Sequence, residues 1–176
     1  VKIKKTKSVW HPDVRLYEIF DKNKNLRGKF YFDLYARPNK RGGAWMDECI
    51  QRRLKSNGSV QAPVAFITCN SSPATKASPA FFTHYDVETL FHEFGHGLQH
   101  MLTKVDYAGI SGISGVEWDA VELPSQFMEN WCWEKDVLDT FAFHYETNQK
   151  LPNKLFKKLL ATKNYNSGMA LLRQIE

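Results

Sequence analysis

The sequence predicts an α+β fold that is mostly helical, with a small antiparallel sheet ahead of the helices. Two observations predict the sheet: aromatic and aliphatic residues alternate from residue 14 to residue 36, and a short apolar run covers residues 64–68. The third observation is the spacing of apolar residues by three and four from Leu90 onward, which is typical of a helix. We therefore expect a β-rich front in residues 1–80 and helices in residues 81–176.

The composition is that of a folded domain without a membrane span. The chain has 176 residues, of which 43% are hydrophobic and 14% aromatic, enough to build a core. No apolar run is long enough to cross a bilayer, so we expect no membrane partner. The three cysteines, Cys49, Cys69 and Cys132, lack C-x-x-C spacing and predict reduced thiols in a cytoplasmic protein.

The net charge of +5 is unevenly distributed along the chain. Residues 1–55 contain 15 Lys and Arg against 6 Asp and Glu, whereas residues 86–146 contain 2 against 12. The basic front has no nucleic-acid-binding motif and no clustered aromatic platform, so we interpret it as solvated surface and expect no nucleic-acid partner. The acidic stretch is more informative, because it surrounds the candidate site for a metal cation at residues 92–96.

The front of the chain is expected to begin with a β-hairpin. Its two alternating stretches, residues 14–20 and 30–36, flank a polar turn at residues 21–25. A loop should follow at residues 37–44, and residues 45–54 are compatible with a short helix. Residues 64–68 read as a strand, either a core strand or a sheet edge that holds an extended peptide by strand addition.

The motif H-E-x-x-H occupies residues 92–96, on a predicted helix with Asp86 as its expected N-cap. Because residues four apart share a helix face, His92 and His96 can bind one metal ion, and Glu93 can reach water bound to it. Gly95 and Gly97 each cost a helix about 1 kcal/mol relative to Ala, which predicts close approach of another backbone. On the motif alone, two hydrogen-bonded core histidines remain an alternative.

A catalytic zinc site takes three protein ligands, and Glu122 is the candidate for the third. It lies in residues 116–131, which read as a helix that Pro124 should kink. Asp119 would share its face. Asp119 or Glu88 could accept a hydrogen bond from a ring N–H of one of the histidines. For each of these two carboxylates, the alternative is a charge at a helix N-terminus or a surface salt bridge.

The remaining features are read as structural. His100 lies one turn beyond His96 but is a poor ligand by its spacing. Three further helices are predicted at about residues 135–145, 153–161 and 165–175.

Several motifs together resemble the thimet oligopeptidase/oligopeptidase A family of zinc metallopeptidases, most closely its bacterial branch. They are FHEFGHGL at residues 91–98, RGGAWMDE at 41–48, APVAFITCN at 62–70 and SGISGVEWDAVELPSQFMENWCWE at 111–134. The resemblance implies that residues 1–176 are part of a zincin-like metallopeptidase catalytic domain. It implies one Zn²⁺ per chain, bound by His92, His96 and Glu122, with Glu93 as the general base.

The resemblance further implies an endopeptidase that hydrolyses short oligopeptides with zinc-activated water, and we expect a cytoplasmic monomer. Family members are much longer, and their transition-state-stabilising Tyr and His belong to a Gly- and Tyr-rich segment that no part of residues 1–176 matches. Two alternatives therefore stay open. The chain could be a metal-binding fragment with little peptidase activity on its own, or a non-catalytic interaction module that keeps the motif.

Overall fold

A computed structural model describes residues 2–4 and 9–175, without the side chains of residues 2–4, 170 and 174. The described strands are β1 (Lys2–Lys4), β2 (Arg15–Phe20), β3 (Leu26–Tyr35), β4 (Trp45–Ile50), β5 (Arg53–Leu54), β6 (Val60–Gln61) and β7 (Val64–Ser71). The helices are α1 (His84–Leu102), α2 (Leu123–Glu129), α3 (Lys135–Leu138), α4 (Asn153–Thr162) and α5 (Ser167–Ile175). Short 3₁₀ helices cover Ala108–Ile110 and Asn130–Trp133.

The chain divides into two compact units, residues 1–129 and residues 130–176. The first unit contains the sheet together with α1 and α2, and the second contains α3, α4 and α5. The α+β class is thus confirmed. None of the helices in the described part of the chain combines the length and the apolar character that a bilayer-spanning helix requires.

The predicted hairpin is confirmed as β2 and β3, which pair antiparallel with Leu16 opposite Tyr31. The polar turn between them is closed by Asp21, whose carboxylate accepts hydrogen bonds from the backbone N–H groups of Asn23 and Asn25, both at 2.9 Å. An Asp side chain that accepts hydrogen bonds from the backbone N–H groups of the next residues is typical of such turns. Asp21 thereby ends the first strand.

The prediction of an antiparallel sheet is wrong, because the sheet is mixed. Its five strands have the order β1-β2-β3-β7-β4, and β3 pairs parallel with β7 while β4 pairs antiparallel with β7. The chain leaves β3, forms β4 at the edge, and returns to insert β7 between the two. Local sequence patterns do not report such a crossover, since they describe each strand without its neighbours.

Two predictions about single segments change with this topology. Residues 45–54 form β4 and β5, not a helix, because Met46 packs towards the core while its neighbours Trp45 and Asp47 line the opposite face. This period of two is that of a strand. The strand at residues 64–68 is confirmed as β7, but it lies inside the sheet, between β3 and the edge strand β4, so it is not a sheet edge.

The core lies between the sheet and α1. Phe30, Ala65, Ile67 and Met101 are its buried centre, and Phe94 of α1 stacks edge-on against Phe30 with ring centroids 5.4 Å apart. The helix that carries the H-E-x-x-H motif is therefore fixed directly on the sheet. Burial of several large apolar side chains on one helix face stabilises such an arrangement by about 1.5–3 kcal/mol per side chain.

In the second unit, the predicted helix at residues 135–145 is too long. Helix α3 ends at Leu138, and the chain then turns back so that Phe143 forms an isolated antiparallel bridge with Lys150. Asn148, with φ of 55°, supplies the left-handed conformation of that turn. The predictions at residues 153–161 and 165–175 are confirmed as α4 and α5 with shifted ends.

Candidate metal centre

Helix α1 begins with a capping box that differs from the predicted cap. Thr83 is the N-cap, and its hydroxyl accepts a hydrogen bond from the backbone N–H of Asp86. Asp86 stands at the third helical position, where its carboxylate accepts the backbone N–H of Thr83 at 2.8 Å. The prediction of Asp86 as N-cap is thus wrong by three residues. The reciprocal pair satisfies two N–H groups that a helix start otherwise leaves unbonded.

The two histidines of the motif lie on the same face of α1, as their spacing predicts. Their ring centroids are 5.0 Å apart, and the Nε2 atom of each ring points to the Glu122 carboxylate. Glu122 Oε2 is 3.2 Å from His92 Nε2 and 3.1 Å from His96 Nε2. The three donor atoms all lie within 4.8 Å of one another, close enough to bind one metal ion.

Glu122 does not belong to a helix, contrary to the prediction for residues 116–131. It directly precedes α2, and 49% of its side chain is exposed. Pro124 consequently occupies the first turn of α2, where a missing N–H costs nothing, and it does not kink a helix. Asp119 lies in the exposed turns before α2 and shares no helix face with Glu122.

Ser125 orients the Glu122 carboxylate. This serine is fully buried, and its hydroxyl lies 2.8 Å from Glu122 Oε2, the oxygen that faces both imidazoles, and 2.9 Å from the Glu122 carbonyl oxygen. Burial opposes ionisation of Glu122, but the Ser125 hydroxyl and the two imidazoles outweigh it and lower the pKa of the carboxyl group. The carboxylate form, which a metal requires, is thereby favoured.

Gly95 allows α2 to approach α1, as its position in the helix predicts. A Cβ atom at residue 95 would lie 2.6 Å from the Pro124 carbonyl oxygen and 2.6 Å from the Ser125 Cα atom. No side chain fits in that space. Close backbone contact between the helices therefore places Glu122 beside the two histidines.

Glu129 is a site residue that the sequence reasoning missed. Its Oε1 atom lies 2.6 Å from His92 Nδ1, so the ring N–H of His92 is donated to Glu129 and not to Glu88 or Asp119. This contact assigns the proton to Nδ1 and leaves the Nε2 lone pair towards Glu122 and the potential metal. A signal existed: in the helix predicted for residues 116–131, Glu129 would follow Glu122 by seven residues, two turns on the same face.

The Nδ1 atom of His96, by contrast, is buried and has no hydrogen-bond partner within the described residues. Neither candidate, Glu88 or Asp119, accepts that ring N–H. Burial lowers the pKa of His96, partly opposed by the Glu122 carboxylate, and so favours the neutral imidazole that a metal requires.

Glu93, the carboxylate of the motif, is buried, with 6% of the residue exposed. Burial raises its pKa, an effect that the neighbouring His92 and a hydrogen bond from the backbone N–H of Met46 partly offset. A carboxylate with a raised pKa beside a metal-binding cluster has the property required of a general base. His100, the predicted non-ligand, is fully buried and lies outside the three-donor cluster.

Comparison with known proteins agrees with this geometry. The model of peptidase family M3 matches residues 1–176. Oligopeptidase A from Escherichia coli (strain K12) is 60% identical over 175 residues, which cover 99% of this chain and 26% of that protein. The organellar oligopeptidase A, chloroplastic/mitochondrial, of Arabidopsis thaliana is 51% identical over 172 residues, covering 96% of this chain and 22% of that protein.

A more distant relative shows the same coverage. The thimet-like oligopeptidase of Dictyostelium discoideum is 42% identical over 171 residues, with 95% of this chain and 25% of that protein covered. The chain spans about a quarter of the length of these relatives. With a family model that matches throughout and relatives this similar, the chain belongs to peptidase family M3.

Proposed function

We propose that this chain carries the metal-binding centre of a zinc-dependent endopeptidase that hydrolyses short oligopeptides. One observation carries the proposal: two imidazole nitrogens of α1 and one carboxylate oxygen of the segment before α2 lie within 4.8 Å of one another. They lie next to the buried carboxylate of Glu93. Two nitrogen donors and one oxygen donor are the ligand set of a catalytic zinc site, which leaves one position for water.

The donors fit zinc in protonation as well as in type. The His92 ring donates its Nδ1–H to Glu129, so its Nε2 lone pair is free to bind metal. The lowered pKa values of His96 and Glu122 favour the neutral imidazole and the ionised carboxylate. His92, His96 and Glu122 are accordingly the residues proposed to hold the ion.

Glu93 is proposed as the general base. Zinc, when bound, supplies Lewis-acid polarisation of the scissile carbonyl and lowers the pKa of water from 15.7 towards about 7. The Glu93 carboxylate would accept the proton of the attacking water and later deliver it to the leaving amine. Glu93 lies next to the backbone N–H of Met46, at the edge of the sheet.

The peptide is proposed to bind along β4 as an added strand. This strand forms one edge of the sheet, and Met46 directs its N–H outward to Glu93. An extended peptide that pairs with the outer edge of β4 would pass next to Glu93.

A cytoplasmic location is part of the proposal. Its support is the presence of three free cysteines, of which Cys69 and Cys132 are buried, and a relative named probable cytosolic oligopeptidase A in Arabidopsis thaliana. The organellar name of the other Arabidopsis relative shows that location differs between similar proteins.

Hydrolysis of an internally quenched fluorescent peptide tests the proposal. The natural polypeptide should cleave it, a chelator should abolish cleavage, and added zinc should restore it. Glu93→Gln should retain zinc and lose most activity, because the amide cannot accept the proton. Metal binding without cleavage would favour a metal-binding fragment, and neither binding nor cleavage would favour a non-catalytic module.

A further inference from the structure

The face of the sheet that points away from α1 carries its own group of aromatic side chains. Ala65 and Ile67 of β7 belong to the core beneath α1, so Phe66 between them faces the opposite side. The centroid of the Phe66 ring lies 5.5 Å from that of Trp10 and 5.5 Å from that of Tyr31. This outer face therefore has an aromatic surface that the core does not use.

A cavity of about 320 Å³ adjoins this surface. Its lining combines the rings of Trp10, Trp45 and Phe66 with the side chains of Arg37 and Arg41. Sites for small molecules have volumes of about 300–1,000 Å³ and combine apolar walls with a few polar groups. The cavity thus has the size and the kind of lining that a small ligand requires.

The loop that forms one wall of the cavity is held in place by hydrogen bonds. The Lys40 ammonium, in a side chain that is 5% exposed, donates to Asp33 Oδ1 at 2.8 Å and to the Asp33 carbonyl oxygen at 2.9 Å. The Asn70 amide donates to the carbonyl oxygens of Arg41 at 2.8 Å and of Gly43 at 2.6 Å. The backbone of Arg41 is therefore fixed without a ligand.

Positive charge in the lining is only partly balanced by the protein. The Asp33 carboxylate binds both Arg37 and Lys40, so these three groups together carry one positive charge. Arg37 donates two of its five N–H groups to Asp33, and the Arg41 guanidinium lies over the Trp45 ring, 5.2 Å from its centroid. Within the described residues, Arg41 forms no ion pair, and its N–H groups are left for a ligand.

These groups determine the chemistry of the ligand. A guanidinium binds a carboxylate or a phosphate through two parallel hydrogen bonds, and a planar ring packs well against Trp and Phe side chains. Asp47 follows Trp45 by two residues on β4 and lines the same cavity. Its negative charge opposes a doubly charged phosphate more strongly than a singly charged carboxylate. The lining therefore favours a carboxylate that is joined to an aromatic ring.

We propose that this cavity binds a small aromatic carboxylate, either a free aromatic amino acid or the C-terminal residue of a short peptide that ends in one. Arg41 binds the carboxylate, and the aromatic ring of the ligand lies against Trp45 and Phe66. The cavity is on the face of the sheet opposite to α1, which carries His92 and His96. The proposal therefore goes beyond the proposed metal centre and does not depend on it.

Calorimetric titration of the natural polypeptide with N-acetylphenylalanine and with its amide tests the role of the carboxylate. The acid should bind with a dissociation constant on the order of 1 mM, as expected for a ligand of this size. The amide keeps the ring but has no charge, and it should bind about tenfold more weakly. Equal affinities for the acid and the amide, or no binding of the acid at ten times that concentration, would overturn the proposal.

Arg41→Met tests the guanidinium, with Arg53→Met as the matched control, since Arg53 is an exposed arginine of β5 outside the cavity lining. Met keeps an unbranched side chain but cannot bind a carboxylate, so the affinity for the acid should fall about tenfold. Trp45→Leu should weaken binding about twofold to tenfold through loss of the ring contact. An Arg41→Met variant that binds the acid as well as Arg53→Met would overturn the assignment.

Three further titrations identify the ligand and separate this site from the metal centre. Phenylalanine and glycylphenylalanine distinguish the free amino acid from a peptide C-terminus, and tighter binding of either one supports the proposal. Tighter binding of adenosine monophosphate would overturn the carboxylate assignment in favour of a nucleotide. A chelator should leave the affinity for the acid unchanged. Loss of binding on chelation would place the carboxylate at the metal, which would overturn this proposal and leave the proposed peptidase function intact.

Discussion

Glu129 Oε1 lies 2.6 Å from His92 Nδ1, so a carboxylate on α2 orients an imidazole on α1. The two residues are 37 positions apart in the sequence. Because the ring proton is held on Nδ1, Nε2 faces the other two donors with its lone pair. The contact links the packing of two helices to the protonation state of a proposed metal ligand.

Removal of this contact should weaken zinc binding. We expect Glu129→Ala to lower zinc affinity about 10–100-fold, the usual effect of losing the partner of a metal-bound histidine. Glu129→Gln should lose less, because its amide oxygen still accepts the ring N–H. Competition with a chromophoric chelator measures both, and Glu117→Ala, an exposed glutamate of the same unit, is the control. Equal affinities for Glu129→Ala and Glu117→Ala would show that the contact has no role in binding.

Gly95→Ala should disturb the contact between α1 and α2. The added methyl group would lie 2.6 Å from the Pro124 carbonyl oxygen and must displace backbone. We expect the free energy of unfolding to fall by about 1–3 kcal/mol, the cost of overpacking, although Ala is the better helix former.

Urea titration measures that change, and zinc affinity should fall with it because Glu122 moves with α2. Gly109→Ala is the matched control, since no atom lies within 4 Å of a Cβ at that position. A Gly95→Ala variant as stable as Gly109→Ala would contradict the proposed packing constraint.

Asp33 should make the fold sensitive to acid. Its buried carboxylate accepts hydrogen bonds from Arg37 at 2.6 and 2.8 Å, from Lys40 at 2.8 Å and from Trp10 at 2.9 Å. Burial alone would raise the pKa of Asp33, but these donors outweigh it and hold the pKa far below its usual value near 4.

Because the pKa of Asp33 is lower in the folded than in the unfolded protein, its ionised carboxylate stabilises the fold at pH values above the unfolded pKa. This stabilisation is lost progressively as the pH falls below about 4. Asp33→Asn should therefore cost on the order of 3 kcal/mol at pH 7, and the difference from the natural protein should shrink in acid. Urea titrations from pH 7 to pH 3 test this, with the exposed Asp119→Asn as control. A difference that does not change with pH would contradict the assignment.

Local features of the chain were predictable from the sequence. The histidine pair and the hairpin follow from repeats of 3.6 and 2 residues, and the strand at residues 64–68 follows from a short apolar run; the structure contains all three. The close approach expected at Gly95 is also present. The metal-ligand role of the histidines and Glu122 and the base role of Glu93 stay predictions.

Features that depend on contacts between distant segments were not predictable. The parallel pairing of β3 with β7 places β4 at the sheet edge, which no local pattern reports. Residues 45–54 alternate weakly, so the pairing of β4 with β7 and of β5 with β6 decides in favour of strands. Glu129 gains its role only because α2 packs on α1 at Gly95, and sequence spacing alone does not place one helix beside another.

The zinc content of the natural polypeptide, purified without added metal and measured by elemental analysis, tests the central claim most directly. The account predicts one zinc ion per chain, and loss of that ion in His92→Ala, in His96→Ala and in Glu122→Ala, with the ion retained in Glu93→Gln. A chain without zinc that also fails to take it up, or one that keeps zinc after loss of any of the three proposed ligands, would contradict the account.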